Sequence, residues 1–77
     1  MNTKELRERI FISWKGYGTY KVQITYNNKF YTCISHNSLA YDRLRDDSVS
    51  DRVSKYGYTY KQALTHFWHA CKNENNL

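Results

Sequence analysis

The residues best suited to hold a ligand stand at alternate positions of two short segments. Arg9, Phe11, Ser13 and Lys15 share one side of the run RIFISWK, and Lys21, Gln23 and Thr25 share one side of TYKVQITY. Side chains alternate between faces in an extended chain, so these seven gather on one surface. Cations beside amides and hydroxyls hold phosphates and read base edges, and an exposed Phe ring stacks on a base. A two- or three-stranded ribbon also fits the major groove of DNA. The competing reading is a solvated outer face, which any half-buried sheet must have.

The elements that position this set follow from the same alternation. Ile10, Ile12 and Trp14 form the opposite, apolar side of the first strand; Tyr20, Val22, Ile24 and Tyr26 do so in the second. Rings alternating on one strand face are expected in the core. Gly16-Tyr17-Gly18 supplies the turn between these strands, where glycine accepts φ values that other residues resist. Asn27-Asn28 supplies the next turn, since Asn tolerates the positive φ of a two-residue hairpin loop.

Two registers are open for that second hairpin. A two-residue loop sets Val22 opposite Cys33 and Ile24 opposite Tyr31, and leaves Phe30, Thr32 and Ile34 on the open face with Lys21 and Gln23. A three-residue loop ending at Lys29 flips the third strand and buries Phe30 and Ile34. Paired asparagines favour the first.

Beyond the strands the pattern becomes helical. Asn37 or Ser38 can cap a short helix through Leu39, Ala40, Tyr41 and Leu44. The Ser-rich stretch from Asp46 to Tyr58 ends at Gly57, with Val49 and Val53 spaced for one further helical turn. Thr59 and Gln62 form a capping-box pair. Tyr60, Leu64, Phe67, Trp68 and Cys71 then build a single apolar stripe, the natural cover for the apolar sheet face. The expected architecture is α+β: a three-stranded antiparallel meander, then a short helix and a longer C-terminal helix packed on one sheet face. Residues 1–8 are expected to fray as a polar segment, although Glu5 and Arg9 can support a short helical turn; residues 9–73 are expected to form a single small domain and residues 74–77 a disordered tail.

Charge agrees with a basic sheet. The 77 residues carry a formal charge of +5. By segment the balance is +4 over residues 1–36, 0 over 37–58 and +1 over 59–77. The excess therefore sits with the strands, which favours polyanions such as nucleic acid, nucleotides or an acidic protein surface. Eight tyrosines, three phenylalanines and two tryptophans give a chain this small its core area at low rotamer cost. Tyr17, set between glycines, is expected to be exposed. Tyr56 and Tyr58 around Gly57 can form a second aromatic edge for a base or a protein partner.

Other chemistries find little support. Cys33 and Cys71 are too few for a disulfide scaffold and fall on apolar faces, as buried thiols do. His66 and His69 stand at i, i+3 without a clear third and fourth metal ligand, so both are read as solvent-facing. Asp42, Asp46, Asp47 and Asp51 lie among Arg43, Arg45 and Arg52 and are expected to pair locally. No Gly-rich phosphate loop or nucleophile elbow is present, so neither catalysis nor a cofactor is expected. No apolar run approaches the ~20 residues of a membrane span and no hydrophobic leader opens the chain, which makes the cytoplasm the expected location.

The segment ISWKGYGTYKVQITYNNKFY with the later LAYD resembles the three-stranded DNA-binding domain of plant ethylene-response factors and its relatives in phage homing endonucleases. The matching positions are Trp14, Lys15, Lys21 and Ala40-Tyr41-Asp42, over roughly half the chain. That resemblance implies DNA held on the sheet. The string YKVQITYNNKFYTC with NSLAYDR is also similar to short proteins encoded by phages and mobile elements of gut bacteria. Such proteins include inhibitors of host defence. The first expectation is a small basic binding module for a phosphate-bearing ligand, with nucleic acid on the open sheet face. The alternative is an oligomeric phage-type inhibitor that grips a host protein or sequesters a signalling nucleotide.

Overall fold

The computed structural model describes residues 1–46 and 48–77. Six elements follow one another: α1 (Thr3–Arg9), β1 (Ile10–Gly16), β2 (Thr19–Tyr26), β3 (Lys29–Ser35), α2 (Ser38–Arg45) and α3 (Tyr60–Asn75). The strands form an antiparallel meander in the order β1-β2-β3. A short helix and a longer C-terminal one come after it, the α+β arrangement read from the pattern. Among the described residues no helix is long and apolar enough to cross a membrane.

The β2–β3 hairpin takes the two-residue register. Asn27 and Asn28 both adopt positive φ, 50° and 62°, as a primed turn requires. Val22 pairs with Cys33 and Ile24 with Tyr31. The β1–β2 turn uses the left-handed region at Gly16, Tyr17 and Gly18, and the ladder slips between Trp14 and Gly16.

One sheet face carries the core. Val22, Ile24 and Cys33 pack with Ala63, Leu64, Phe67, Trp68 and Cys71 of α3, while Ala40 of α2 and Leu6 of α1 close its sides. Helix α3 starts at the expected capping box: Thr59 Oγ1 accepts from the Gln62 N–H at 3.0 Å, and the Gln62 side chain accepts from the Thr59 N–H at 2.9 Å. Asn37 caps α2, its side-chain oxygen accepting from the Ala40 N–H at 2.9 Å. Tyr41 of that helix stacks on Tyr20, ring centroids 4.1 Å apart.

Several expectations change. The N-terminal segment is helical, because Asn2 caps it through the Glu5 N–H and Leu6 is buried in the core. Arg9 ends α1 and is not part of the strand. The C-terminal residues do not form a loose tail: α3 runs to Asn75, whose amide donates to the carbonyls of Thr32 and Cys71. Val49 and Val53 form no helical turn and are exposed. Trp14 has the helix-side alternation of a core residue yet is 64% exposed. It lies on edge strand β1, which the helices contact least, beside the ladder slip.

Segment 48–58 is held from α2 instead of by its own helix. Arg43 is almost wholly buried and spends its guanidinium on three backbone carbonyls, those of Tyr58 (3.1 Å), Ser48 (2.7 Å) and Ser50 (2.8 Å). Local pairing of Arg43 with the neighbouring aspartates is thus replaced by carbonyl ligation, which satisfies a buried cation. Asp47 lies outside the described residues.

Candidate functional site

Among the described residues nothing packs on the side of the sheet away from the helices, where Phe11, Phe30 and Ile34 stand exposed. The Cα envelope measures 33 × 29 × 17 Å, thin enough for one sheet and one helical layer. The register arranges the open face in rows. Phe11, Gln23 and Thr32 lie side by side across the three strands; Ser13, Lys21 and Ile34 form the next row; Thr25 and Phe30 begin a third. Neighbouring strands are ~4.8 Å apart and alternate residues ~6.8 Å apart, so the rows tile a compact patch.

Six of the seven residues expected on this surface are brought together there. Lys15 is exposed just beyond the Ser13 row, at the ladder slip. Arg9, the seventh, is exposed at the end of α1, one residue before the first pair of the ladder. The two-residue register brings Phe30, Thr32 and Ile34 of β3 to the same face, as the paired asparagines predict. Phe11 is 66% exposed, Phe30 72% and Ile34 54%, so the patch is an apolar-aromatic frame around Lys21 and Gln23. The signal for the β3 residues was the Asn27-Asn28 turn, which alone sets the register.

The electrostatics of the patch are one-signed. No acidic residue occurs between Glu8 and Asp42, so the sheet presents Lys15, Lys21 and Lys29 without a carboxylate of its own. Lys29 pairs with Tyr26 and belongs to the helix side. Lys21 is therefore the paired strand cation of the open face, with Lys15 exposed at the slip beside it.

The three tyrosines expected to make aromatic contacts divide. Tyr17 is fully exposed at the tip of the β1–β2 turn. Tyr58 is structural: its hydroxyl accepts from the Asn37 amide at 2.8 Å and its carbonyl accepts from Arg43. Tyr56 is half-buried, with the Lys55 ammonium 5.2 Å from its ring centre. Of this second edge Tyr58 is tied into the fold, and Tyr17 is the tyrosine of the set that stands fully exposed.

Cys33 and Cys71 meet in the core with their Sγ atoms 3.0 Å apart. Burial pushes both thiols up from their ordinary pKa, and their mutual hydrogen bond raises Cys71 further. They stay protonated and serve packing. His69 is exposed, but His66 is half-buried between Tyr58 and Phe67, with Nε2 buried and without a hydrogen-bond partner among the described residues. The expectation of two solvent-facing histidines therefore holds for one. Among the described residues no group of three His, Cys, Asp or Glu side chains is placed to hold a metal.

No known protein family, curated protein or solved structure matches this chain.

Proposed function

We propose that the chain is a non-enzymatic binding module that holds nucleic acid on the open face of its sheet. The observation that carries this reading is the uncovered patch in which Lys21 and Gln23 lie among Phe11, Phe30, Ser13, Thr25 and Thr32, with no acidic side chain on the strands. Lysines attract the phosphate backbone, amide and hydroxyls give hydrogen bonds, and the two rings offer stacking surfaces for unpaired bases. Such a module works in the cytoplasm. Anisotropy titrations of labelled duplex and single strand at two salt concentrations test it. Binding should weaken linearly in log–log form as salt rises, and the absence of binding at low salt would overturn the proposal.

A second reading has its own observation. Ile34 cannot stack on a base, yet it extends the exposed apolar surface of Phe11 and Phe30. Exposed apolar patches mark protein contacts, which favours an inhibitor that seats a host protein, or a second copy, on this face. Native mass measurement of protein purified without nuclease separates the readings by reporting assembly state and co-purifying ligand together.

A further inference from the structure

On the other side of the sheet, the helices leave a cleft above edge strand β1. It has a volume of about 250 Å³ and is bounded by α1, β1, α2 and α3. Its apolar floor is made by Ile10, Ile12, Leu44 and Leu64, and two phenol rings, Tyr41 and Tyr60, line it as well. Both rings are held from behind. Tyr41 stacks on buried Tyr20, and Tyr60 has the buried Arg43 guanidinium 5.7 Å from its centre. The remaining lining residues are Arg7 and Arg45, both exposed; among the described residues no carboxylate lines this cleft itself, while Arg45 also lines the adjoining hollow with Asp42 and Asp46 and lies 5.8 Å from the Tyr41 ring centre.

We propose that this cleft binds a small planar ring bearing one oxyanion, the chemistry shared by a nucleoside monophosphate and an aromatic carboxylate. An apolar floor with aromatic walls takes a ring, and a few polar groups at the margin fix its orientation. The two guanidiniums supply bidentate, charge-assisted hydrogen bonds to phosphate or carboxylate oxygens, Arg45 in competition with Asp42 and Asp46 beside it. The volume lies below the ~300–1,000 Å³ of drug-sized pockets, which admits one ring system and excludes a polymer. Preset rings lower the ordering cost of binding. The site lies across the sheet from the nucleic-acid patch and stands or falls apart from it.

Thermal-shift and calorimetric titrations test the proposal, using adenosine and uridine monophosphates, the parent nucleosides, inorganic phosphate and indole-3-acetate. A ring-bearing anion should raise the melting temperature with concentration, because a ligand bound only by the native state stabilises it. Nucleosides and phosphate alone should be weaker by roughly tenfold or more, since each lacks one half of the recognised chemistry. A response to monophosphates only assigns a nucleotide, and one to indole-3-acetate only assigns an aromatic acid. The Arg7→Gln/Arg45→Gln double variant should lose binding while its unliganded melting curve is kept, both side chains being exposed. Ile12→Trp, which fills the cleft and leaves the arginines, should lose it too. Lys21→Ala should leave it intact. No shift from any ring-bearing anion at millimolar concentration, or equal binding by wild type and double variant, would overturn the assignment.

Discussion

Arg43 Nε donates to the backbone carbonyl of Tyr58 at 3.1 Å, and through that bond α2 fixes the chain that leads into α3. The two Nη atoms extend the clamp to Ser48 and Ser50. Arg43→Met keeps the alkyl stem but removes all three charge-assisted bonds. Because Ser48 and Ser50 are exposed, water can re-solvate part of the loss, and the expected destabilisation is about 3 kcal/mol. Arg43→Lys should recover little, since an ammonium cannot span three carbonyls in a planar fork. Urea titration of the two variants measures this, and wild-type midpoints would mean that the clamp adds nothing to folding.

Removing the rings of α3 should be more damaging. Phe67 is fully enclosed and Trp68 nearly so, each facing the sheet through the apolar stripe. Phe67→Ala and Trp68→Ala are each expected to cost ~3–5 kcal/mol, comparable with the whole stability of so small a domain. Near-native melting of either variant would contradict a core built on this helix.

The contrast between Asn27-Asn28 and Arg43 marks what could be read in the chain. The asparagine turn, the Thr59/Gln62 capping box and the α3 stripe are local patterns, and each specifies its element within a few residues. Arg43 was opaque because its acceptors are backbone carbonyls of an irregular stretch, which no side-chain pattern encodes. Alternation placed Trp14 on the correct side of β1, but it could not tell that the helices cover β2 and β3 more fully than the edge strand. The open face was legible through the register; the cleft was not, since Arg7, Ile12, Tyr41 and Tyr60 come from four separate elements. Asn2 with Glu5 three residues later was a usable capping signal for α1 that a generally polar composition obscured.

His66 should give the fold a pH dependence. Burial lowers its pKa below the ordinary 6.5, and the neighbouring His69 charge lowers it further. The folded state thus favours the neutral imidazole, whereas the unfolded chain takes up a proton at the ordinary value. Its contribution is fully present above 6.5, falls as pH drops through that value, and levels off below the folded pKa. His66→Phe keeps a ring between Tyr58 and Phe67 and removes the titration. Denaturation midpoints measured from about pH 7 to pH 5 should fall for wild type and stay flatter for the variant. Parallel curves would place the acid sensitivity elsewhere.

The open face makes the sharpest functional claim, and it concerns salt. Lys21 lies at the centre strand between Ser13 and Ile34 and is exposed, so replacing it should shift folding stability by no more than about 0.5 kcal/mol. If it contacts a duplex phosphate, Lys21→Ala should weaken binding to all sequences alike and reduce the log–log salt slope by about one. Phe11→Ala and Phe30→Ala carry no charge change. They should leave that slope alone and weaken single-strand binding by ~1–3 kcal/mol for each ring that stacks. Ile34→Ala should be silent toward nucleic acid, because a branched aliphatic side chain offers no stacking plane. It should be costly instead if the face seats a protein, where buried apolar anchors carry the affinity. Anisotropy titrations of the four variants therefore read the ligand class from the pattern: a slope change at Lys21 with losses at the two rings supports nucleic acid, and a loss confined to assembly or partner capture in Ile34→Ala supports a protein.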